Sequence, residues 1–391
     1  MRYPRYGRSM GNTVERQIEA VAWMERSLEN SISTVYIDDK KIIGGDWNGT
    51  MVCWSRDGDV CWEADLGDRV SGIRLSKDEK MLWCIAGREA IGIDYENGSI
   101  KWKIEFDGST DLIELDGEHR AWIVSSVYDI ELNDFMESAI SLIDSGNIIE
   151  KHILDERPWS IHAVREGHAF FGLGRPRAGV LELIEENGKF AVSHKAVHDS
   201  PVLCGSNVLP FFIGHSNGMI TQINENGELN NFELSKENDS AIIDLASNDE
   251  NIFLFLENKE ILCVDMKGKV TESVEISGSE GEPEFLNLID GVSTDGYANF
   301  WTITSTMNGA FLIDTNRSVG ISKIKLKILV NSRIRDIANA DGMTVVGLDD
   351  GRVISIEENM LKRRIENEEQ PIDEGEGHRL DMRERLRKLR E

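Results

Sequence analysis

Positive charge is scarce in this chain of 391 residues: 43 lysines and arginines stand against 70 aspartates and glutamates, for a net charge of −27. So acidic a body repels phosphate backbones, and direct nucleic-acid binding by it is not expected. No CxxC pair occurs among the five cysteines, Cys53, Cys61, Cys84, Cys204 and Cys263, which argues against a zinc site of that kind. The cysteines lie in apolar runs, where a free thiol behaves as a small hydrophobe. Cys53 and Cys61 flank one turn, but a two-residue loop at Asp57-Gly58 sets Trp54 opposite Cys61, so no disulfide is expected there. No apolar run approaches the roughly 18 residues of a membrane helix, and the opening MRYPRYGRSMGNTVERQIEAV has no apolar signal core. The expectation is a soluble, cytoplasmic protein with no membrane contact.

A long helical period is also missing from residues 31–366. What stands there is a repeated unit. WNGTMVCWSRDGDVCWEADL, Trp47 to Leu66, is followed by GREAIGIDYENGSIKWKIEF, Gly87 to Phe106. In each, two apolar strands flank an Asp-Gly or Asn-Gly turn, a strong hairpin signal, and Trp62 or Trp102 stands four residues after the turn glycine. Corresponding glycines fall at Gly58, Gly98, Gly146, Gly188, Gly227 and Gly268, spaced by 40, 48, 42, 39 and 41 residues. Thr315-Asn316-Arg317 and Glu358-Asn359 continue the series without glycine. Two residues after the glycines stand Val60, Ile100, Ile148, Phe190, Leu229 and Val270; seven before them stand Met51, Ile91, Ala139, Leu181, Ile220 and Ile261. All are apolar, as strand positions packed on neighbouring sheets require.

Each unit has an earlier hairpin, at Asn48-Gly49, Arg88-Glu89, Glu137-Ser138, Ala178-Gly179, Asn217-Gly218, Asn258-Lys259, Asn308-Gly309 and Asp350-Gly351. Two more strands precede it, such as Val70 to Leu75 and Met81 to Ala86. Four strands in roughly forty residues, eight times over, predict an all-β, eight-bladed β-propeller, or a seven-bladed one if a terminal unit is incomplete. A single blade cannot bury either apolar face, and radial packing buries both. The third and seventh units carry insertions.

The flanks differ. Residues 1–30 read as a basic arm, with Arg2, Arg5 and Arg8, followed by a helix over about 13–28. Asn12 and Glu15 would cap that helix, and Val14, Ile18, Val21 and Leu28 would form its apolar stripe. The rival reading places an extra strand at Ile18 to Met24. Residues 367–391 read as an acidic linker and a basic helix, RLDMRERLRKLRE, able to fold back on the acidic body or to reach a partner.

The units resemble the repeat of pyrroloquinoline-quinone-type, quinoprotein-like propellers, with Asp94, Gly98 and Trp102 in the matching places of the second unit and Gly58 and Trp62 in the first. WD-repeat propellers are the neighbouring resemblance. The quinone-dependent enzymes of that class use adjacent cysteines and an acidic calcium site, whereas this chain has no adjacent cysteines. The resemblance therefore implies a non-enzymatic scaffold with no cofactor and no catalytic or metal residues.

Turn chemistry accounts for the local motifs. Gly214-His215-Ser216-Asn217-Gly218 satisfies the G-x-S-x-G pattern of hydrolases, but Gly45-Asp46-Trp47-Asn48-Gly49 and Gly347-Leu348-Asp349-Asp350-Gly351 occupy the same place without serine, so a hairpin is expected. His152, His162, His168, His194, His198 and His215 cluster in units three to five. His194 and His198, four apart on extended chain, would be about 13 Å distant, too far to share a metal. Gly172-Leu173-Gly174 is a poor phosphate loop, and Asp57-Gly58-Asp59 and Asp349-Asp350 lack a calcium loop's carboxylates. Arg74, Glu114, Asp244, Asn287 and Asp336 align at mid-positions of the innermost strands and would line a central channel. The leading expectation is an interaction platform that binds other proteins through loop faces or terminal tails. A channel-mouth enzyme or small-ligand binder is the alternative, and an adaptor touching nucleic-acid machinery through its basic tails is a third.

Overall fold

All six turn glycines of the repeat adopt left-handed φ, from 73° at Gly98 to 91° at Gly58, a conformation that strains any side chain bearing a Cβ. They reverse the chain between the outer strands of successive sheets in a computed structural model that describes residues 14–131, 134–236, 238–275, 283–289, 299–304, 310–314, 323–361 and 363. The strands form eight antiparallel sheets. Blade 1 comprises Ile32–Ile37, Lys41–Asp46, Thr50–Ser55 and Val60–Asp65. Blade 2 runs from Val70–Leu75 to Ile100–Glu105, blade 3 from Ser109–Leu115 to Asn147–Leu154, and blade 4 from Pro158–Arg165 to Lys189–Lys195. Blade 5 runs from Val202–Gly205 to Leu229–Phe232, blade 6 from Ile242–Ser247 to Val270–Glu275, and blade 7 from Pro283–Ile289 to Lys323–Leu329. Blade 8 contains Ile334–Ala340, Met343–Leu348 and Arg352–Glu357. The first strand of each blade neighbours the first strand of the next, and that of blade 8 returns to blade 1. The molecule is a closed eight-bladed β-propeller.

Closure is achieved by the segment expected to be a docked helix. Only Ile18–Val21 is helical, and it separates the strands Val14–Gln17 and Met24–Ser27. The first adds in parallel to the outer edge of blade 7, and the second pairs antiparallel with Arg352–Glu357 as the outer strand of blade 8. The expected final turn at Glu358-Asn359 is absent, because the chain turns helical at Glu358 and leaves that outer slot to the N-terminal strand. Glu357 caps this helical turn, its carboxylate accepting the Met360 N–H at 2.6 Å. Ile18 and Val21 bury between blades 7 and 8 against Ile328, Ile334 and Ile354. Met24 and Leu28 bury with Trp54, Val345 and Val353 between blades 8 and 1. One short segment thus joins two interblade cores. The expected basic arm over residues 1–10 and helix over 379–391 lie outside the described residues.

Tryptophan and turn glycine are parts of one joint between blades. Trp62 of blade 1 is buried, and its Nε1–H donates to the Tyr95 carbonyl of blade 2 at 2.9 Å. A Cβ on Gly98 would lie 2.7 Å from the Trp62 ring, and one on Gly146 would lie 2.9 Å from Trp102. Each ring therefore covers the glycine of the following blade. At the closure, Arg26 and Met24 occupy the equivalent place over Gly58, and the Arg26 Nε–H donates to the Gly58 carbonyl at 2.8 Å.

Bulges correct two details of the sequence reading. In the outer hairpin of blade 1, Cys53 pairs with Trp62 and Trp54 with Val60, so Cys61 is the extra residue and does not face Trp54. All five cysteines are free thiols, as expected. The shift in phase also turns Val60 and Ile100 outward, 58% and 40% exposed, while Met51 and Ile91 remain fully buried.

The innermost strand of every blade carries a similar bulge after its first paired residue, or after its second in blade 3. Aligned on that bulge, Arg74, Glu114 and Asn287 are equivalent, but Asp244 and Asp336 come two residues earlier in their strands. The five do not form one ring of polar groups.

Candidate interaction face

Both the connection entering each innermost strand and the second hairpin of each blade lie at the same end of the ring. There the bulges matter, because an extra residue re-aims its side chain. The extra residues are Asp111 in blade 3, Trp159 in blade 4 and Arg335 in blade 8.

In blade 1, Asp46 is fully buried and accepts N–H bonds from Asn48 and Thr50 at 2.9 and 2.8 Å. This tight turn presents Trp47 outward, 41% exposed. The Arg69 guanidinium of the connection into blade 2 lies over the Trp47 ring at 4.2 Å, and that of Arg335 lies 5.8 Å from it. Arg335 is held by Asp349, with Nε to Oδ1 at 2.7 Å, and Ser31 donates to the same oxygen at 2.6 Å. These two bonds, Ser31 first, hold the Asp349 carboxyl below the usual range. Arg69 has no ion pair among the described residues.

Arg157, on the connection into blade 4, continues the arc. Its Nη2 donates to Asp111 Oδ1 at 3.1 Å, and its guanidinium lies 4.6 Å from the Phe135 ring and 4.7 Å from that of Trp159. Burial pushes the Asp111 carboxyl upward, although Arg157 and Arg69 both oppose the shift. Asp111 Oδ2 and Arg157 Nε are buried and have no hydrogen-bond partner among the described residues. Trp159 lies across Gly174, where a Cβ would come within 2.4 Å of its indole nitrogen.

Beside this arc the insertion of blade 3 projects. Its second and third strands, Arg120–Asp129 and Asp134–Asp144, are 10 and 11 residues long, against six for their blade 2 counterparts Met81–Ala86 and Glu89–Asp94. Near the tip, Tyr128 packs edge-on against Phe135 at 5.1 Å, while Tyr128, Ile130 and Met136 stay 45%, 87% and 51% exposed. Arginine and exposed aromatic rings therefore run continuously over blades 8, 1, 2, 3 and 4. The hairpins at the opposite end carry acidic pairs, Asp38-Asp39, Asp78-Glu79 and Asp249-Glu250, and this end carries Asp155-Glu156 and Asp349-Asp350.

The motifs singled out in the sequence take structural roles. Gly214–Gly218 is a hairpin: Ser216 follows the strand Phe211–His215 and leads into Ile220–Ile223, with no helix. Gly214 lies beneath the next blade, a Cβ there meeting Ile242 at 2.7 Å. His215 Nε2 bonds Thr221 Oγ1 at 2.8 Å, and Ser216 Oγ bonds Ser200 Oγ at 2.8 Å, so this histidine does not serve that serine. Burial lowers the pKa of His162 and His215 to about 4. His194 and His198 are directed at separate carbonyls, those of Ala178 and Ile220. Among the described residues no group of three or more His, Cys, Asp or Glu side chains is placed to hold a metal ion. Of the inner-strand polar residues, Arg74 pairs with Glu114 at 3.1 Å, and Asp336 accepts from Thr34 Oγ1 and the Val35 N–H across the seam between blades 8 and 1. The reading of the sequence missed Trp47, Arg69, Asp111, Arg157, Trp159 and Arg335. The signal that finds them is the bulge register together with an exposed tryptophan inside a tight hairpin.

No protein-family model and no curated protein matches the chain. Solved structures do. The computationally designed protein Ika8 is similar over 89% of this chain and 100% of its own, with a TM-score of 0.65 and 12% identity. Sqt1 from Saccharomyces cerevisiae is similar over 86% of this chain and 98% of its own (TM-score 0.64, 11% identity), and BamB from Moraxella catarrhalis over 85% and 96% (TM-score 0.61, 11% identity). No helix among the described residues is long and apolar enough to cross a membrane. At such identities the likeness is one of fold: eight blades, seven of four strands and blade 7 of five, closed by the N-terminal segment, make this chain a β-propeller.

Proposed function

We propose that this propeller is a non-enzymatic scaffold of the cytoplasm that binds other proteins through the face carrying Trp47, Trp159 and the projecting hairpin of blade 3. One observation carries the reading: exposed aromatic and aliphatic side chains gather at one end of the ring, interleaved with arginines. Arginine, tyrosine and tryptophan are the residues that concentrate binding energy at protein interfaces. Free cysteines, four of the five buried, fit a reducing compartment. The Trp62–Gly98 and Trp102–Gly146 joints support placing the repeat nearest the pyrroloquinoline-quinone-type propellers, used here as architecture alone.

The test is affinity capture from native extract with three baits: the wild type, a Tyr128→Ala/Trp159→Ala double variant, and Asp249→Lys on the opposite face. Proteins retained by the wild type and by Asp249→Lys are expected to be lost from the double variant. Equal retention by all three baits would remove this face from the function.

A further inference from the structure

We infer that the arginine–aromatic arc receives a carboxylate-rich, extended segment of a partner protein that carries an aromatic or aliphatic side chain among its acids. This rests on the interaction-face reading above and adds the chemistry of the partner. Within the arc, Arg69, Arg157 and Arg335 are answered by two carboxylates, Asp111 and Asp349. Arg69 is the guanidinium left over. Its flat side is spent on Trp47, which leaves its N–H edge for a carboxylate oxygen. Desolvation first, then repulsion from Arg335, lowers its pKa, and Asp111 opposes the shift. Arg333 on the connection into blade 8, and Arg175 and Arg177 in the second hairpin of blade 4, lie at the same end of the ring, where Arg177 pairs with Asp155 at 3.6 Å.

The apolar half of the ligand follows from the rings. Trp159 and Tyr128 offer exposed faces beside Arg157, and Ile130 and Met136 extend them outward. A purely acidic polymer would leave that surface wet. A purely apolar one would face the Arg69 guanidinium, which forms no ion pair among the described residues, with no charge of its own. Single-stranded nucleic acid also uses arginine and aromatic stacking, but a charge on every residue of the polymer would also meet the field of the acidic body and its acidic hairpins. A peptide can place a few carboxylates on the arc and none elsewhere.

The test uses the full chain and fluorescence anisotropy with four labelled probes: a glutamate octapeptide interrupted by one phenylalanine and one leucine, its glutamine and lysine counterparts, and an oligothymidine. The glutamate peptide is expected to bind about tenfold more tightly than the glutamine peptide, as one charge-assisted contact requires. Its affinity should fall as salt rises, whereas simple repulsion from the acidic body would make it rise. Arg69→Glu, at an exposed position, should weaken the glutamate peptide about tenfold and leave the urea midpoint unchanged. Trp159→Ala should weaken glutamate and glutamine peptides alike. Equal affinity for glutamate and glutamine peptides, an unchanged Arg69→Glu variant, or tighter binding of oligothymidine would each overturn the inference. If capture from extract still depends on Tyr128 and Trp159 in that event, the scaffold reading survives and only the acidic partner falls.

Discussion

Ile18→Ala empties a branched side chain from the seam where the N-terminal segment fastens blade 8 to blade 7. Ile18 is 1% exposed and packs with Ile328, Ile334, Ile354 and Ile356. Truncating a buried isoleucine to alanine costs about 2–5 kcal/mol, a combination of lost transfer energy and residual cavity. Five positions on, Trp23 is 50% exposed, and Trp23→Ala should fall within about 0.5 kcal/mol of the wild type. Urea unfolding followed by far-ultraviolet circular dichroism compares the two directly, since typical native stabilities are only about 5–15 kcal/mol. Removing residues 1–28 goes further. It strips the outer strand from blade 8 and bares the Arg352–Glu357 edge, which should then pair between molecules and shift the protein to larger species on size-exclusion chromatography. If Ile18→Ala is as mild as Trp23→Ala, or if the protein lacking residues 1–28 keeps the oligomeric state of the wild type and is equally stable, the N-terminal segment does not close the ring.

Three further outcomes are expected. A thiol reagent should titrate one cysteine in the native protein, the exposed Cys61, and all five after denaturation; rapid reaction of two or more native thiols would contradict the burial of the others, whose pKa at Cys53 and Cys84 is raised by desolvation. Gly98→Ala should cost about 1–3 kcal/mol more than Gly188→Ala, because both have similar positive φ but only the Gly98 Cβ would meet a neighbour, the Trp62 ring. Equal losses in urea unfolding would show that the ring yields freely. His162 and His215 have folded pKa values near 4, below the ordinary 6.5, so the unfolded chain takes up their protons first as pH falls. The stability these rings carry is therefore full above about 6.5 and lost between there and about 4. Between pH 7.5 and 4.5, roughly that window, the urea midpoint of a His162→Gln/His215→Gln variant should fall less steeply than that of the wild type. Parallel curves would sink the assignment.

The repeat was legible because its joints leave marks in the sequence. Gly58, Gly98, Gly146, Gly188, Gly227 and Gly268 each need positive φ, and Trp62 and Trp102 are large residues at a fixed distance from them. Closure was not legible, since Val14, Ile18, Val21 and Leu28 fall at helical spacing although only Ile18 and Val21 share a helical turn, Val14 lying in the strand before it and Leu28 after the next strand. A four-residue outer strand reading MERS, buried only at Met24, offers too little alternation to oppose that pattern. The candidate face was hidden for another reason. A bulge has no fixed residue type, and serine, aspartate, tryptophan and arginine all fill it here, in blades 1, 3, 4 and 8. Without that register Asp336 aligned with Arg74, and the common position of Asp111, Trp159 and Arg335 passed unseen.

The N-terminal latch also dictates when the protein can finish folding. Glu19 and its partner Arg352 are 333 residues apart, so during synthesis the strand that completes the last blade is made first and waits unpaired until nearly the whole described chain has emerged. Six interblade seams can form one after another from neighbours in sequence, whereas the two that hold the N-terminal segment demand very distant contacts, the slow kind. A nascent ring is therefore an open arc with a bare edge at each end, and its exposure to aggregation lasts as long as translation does.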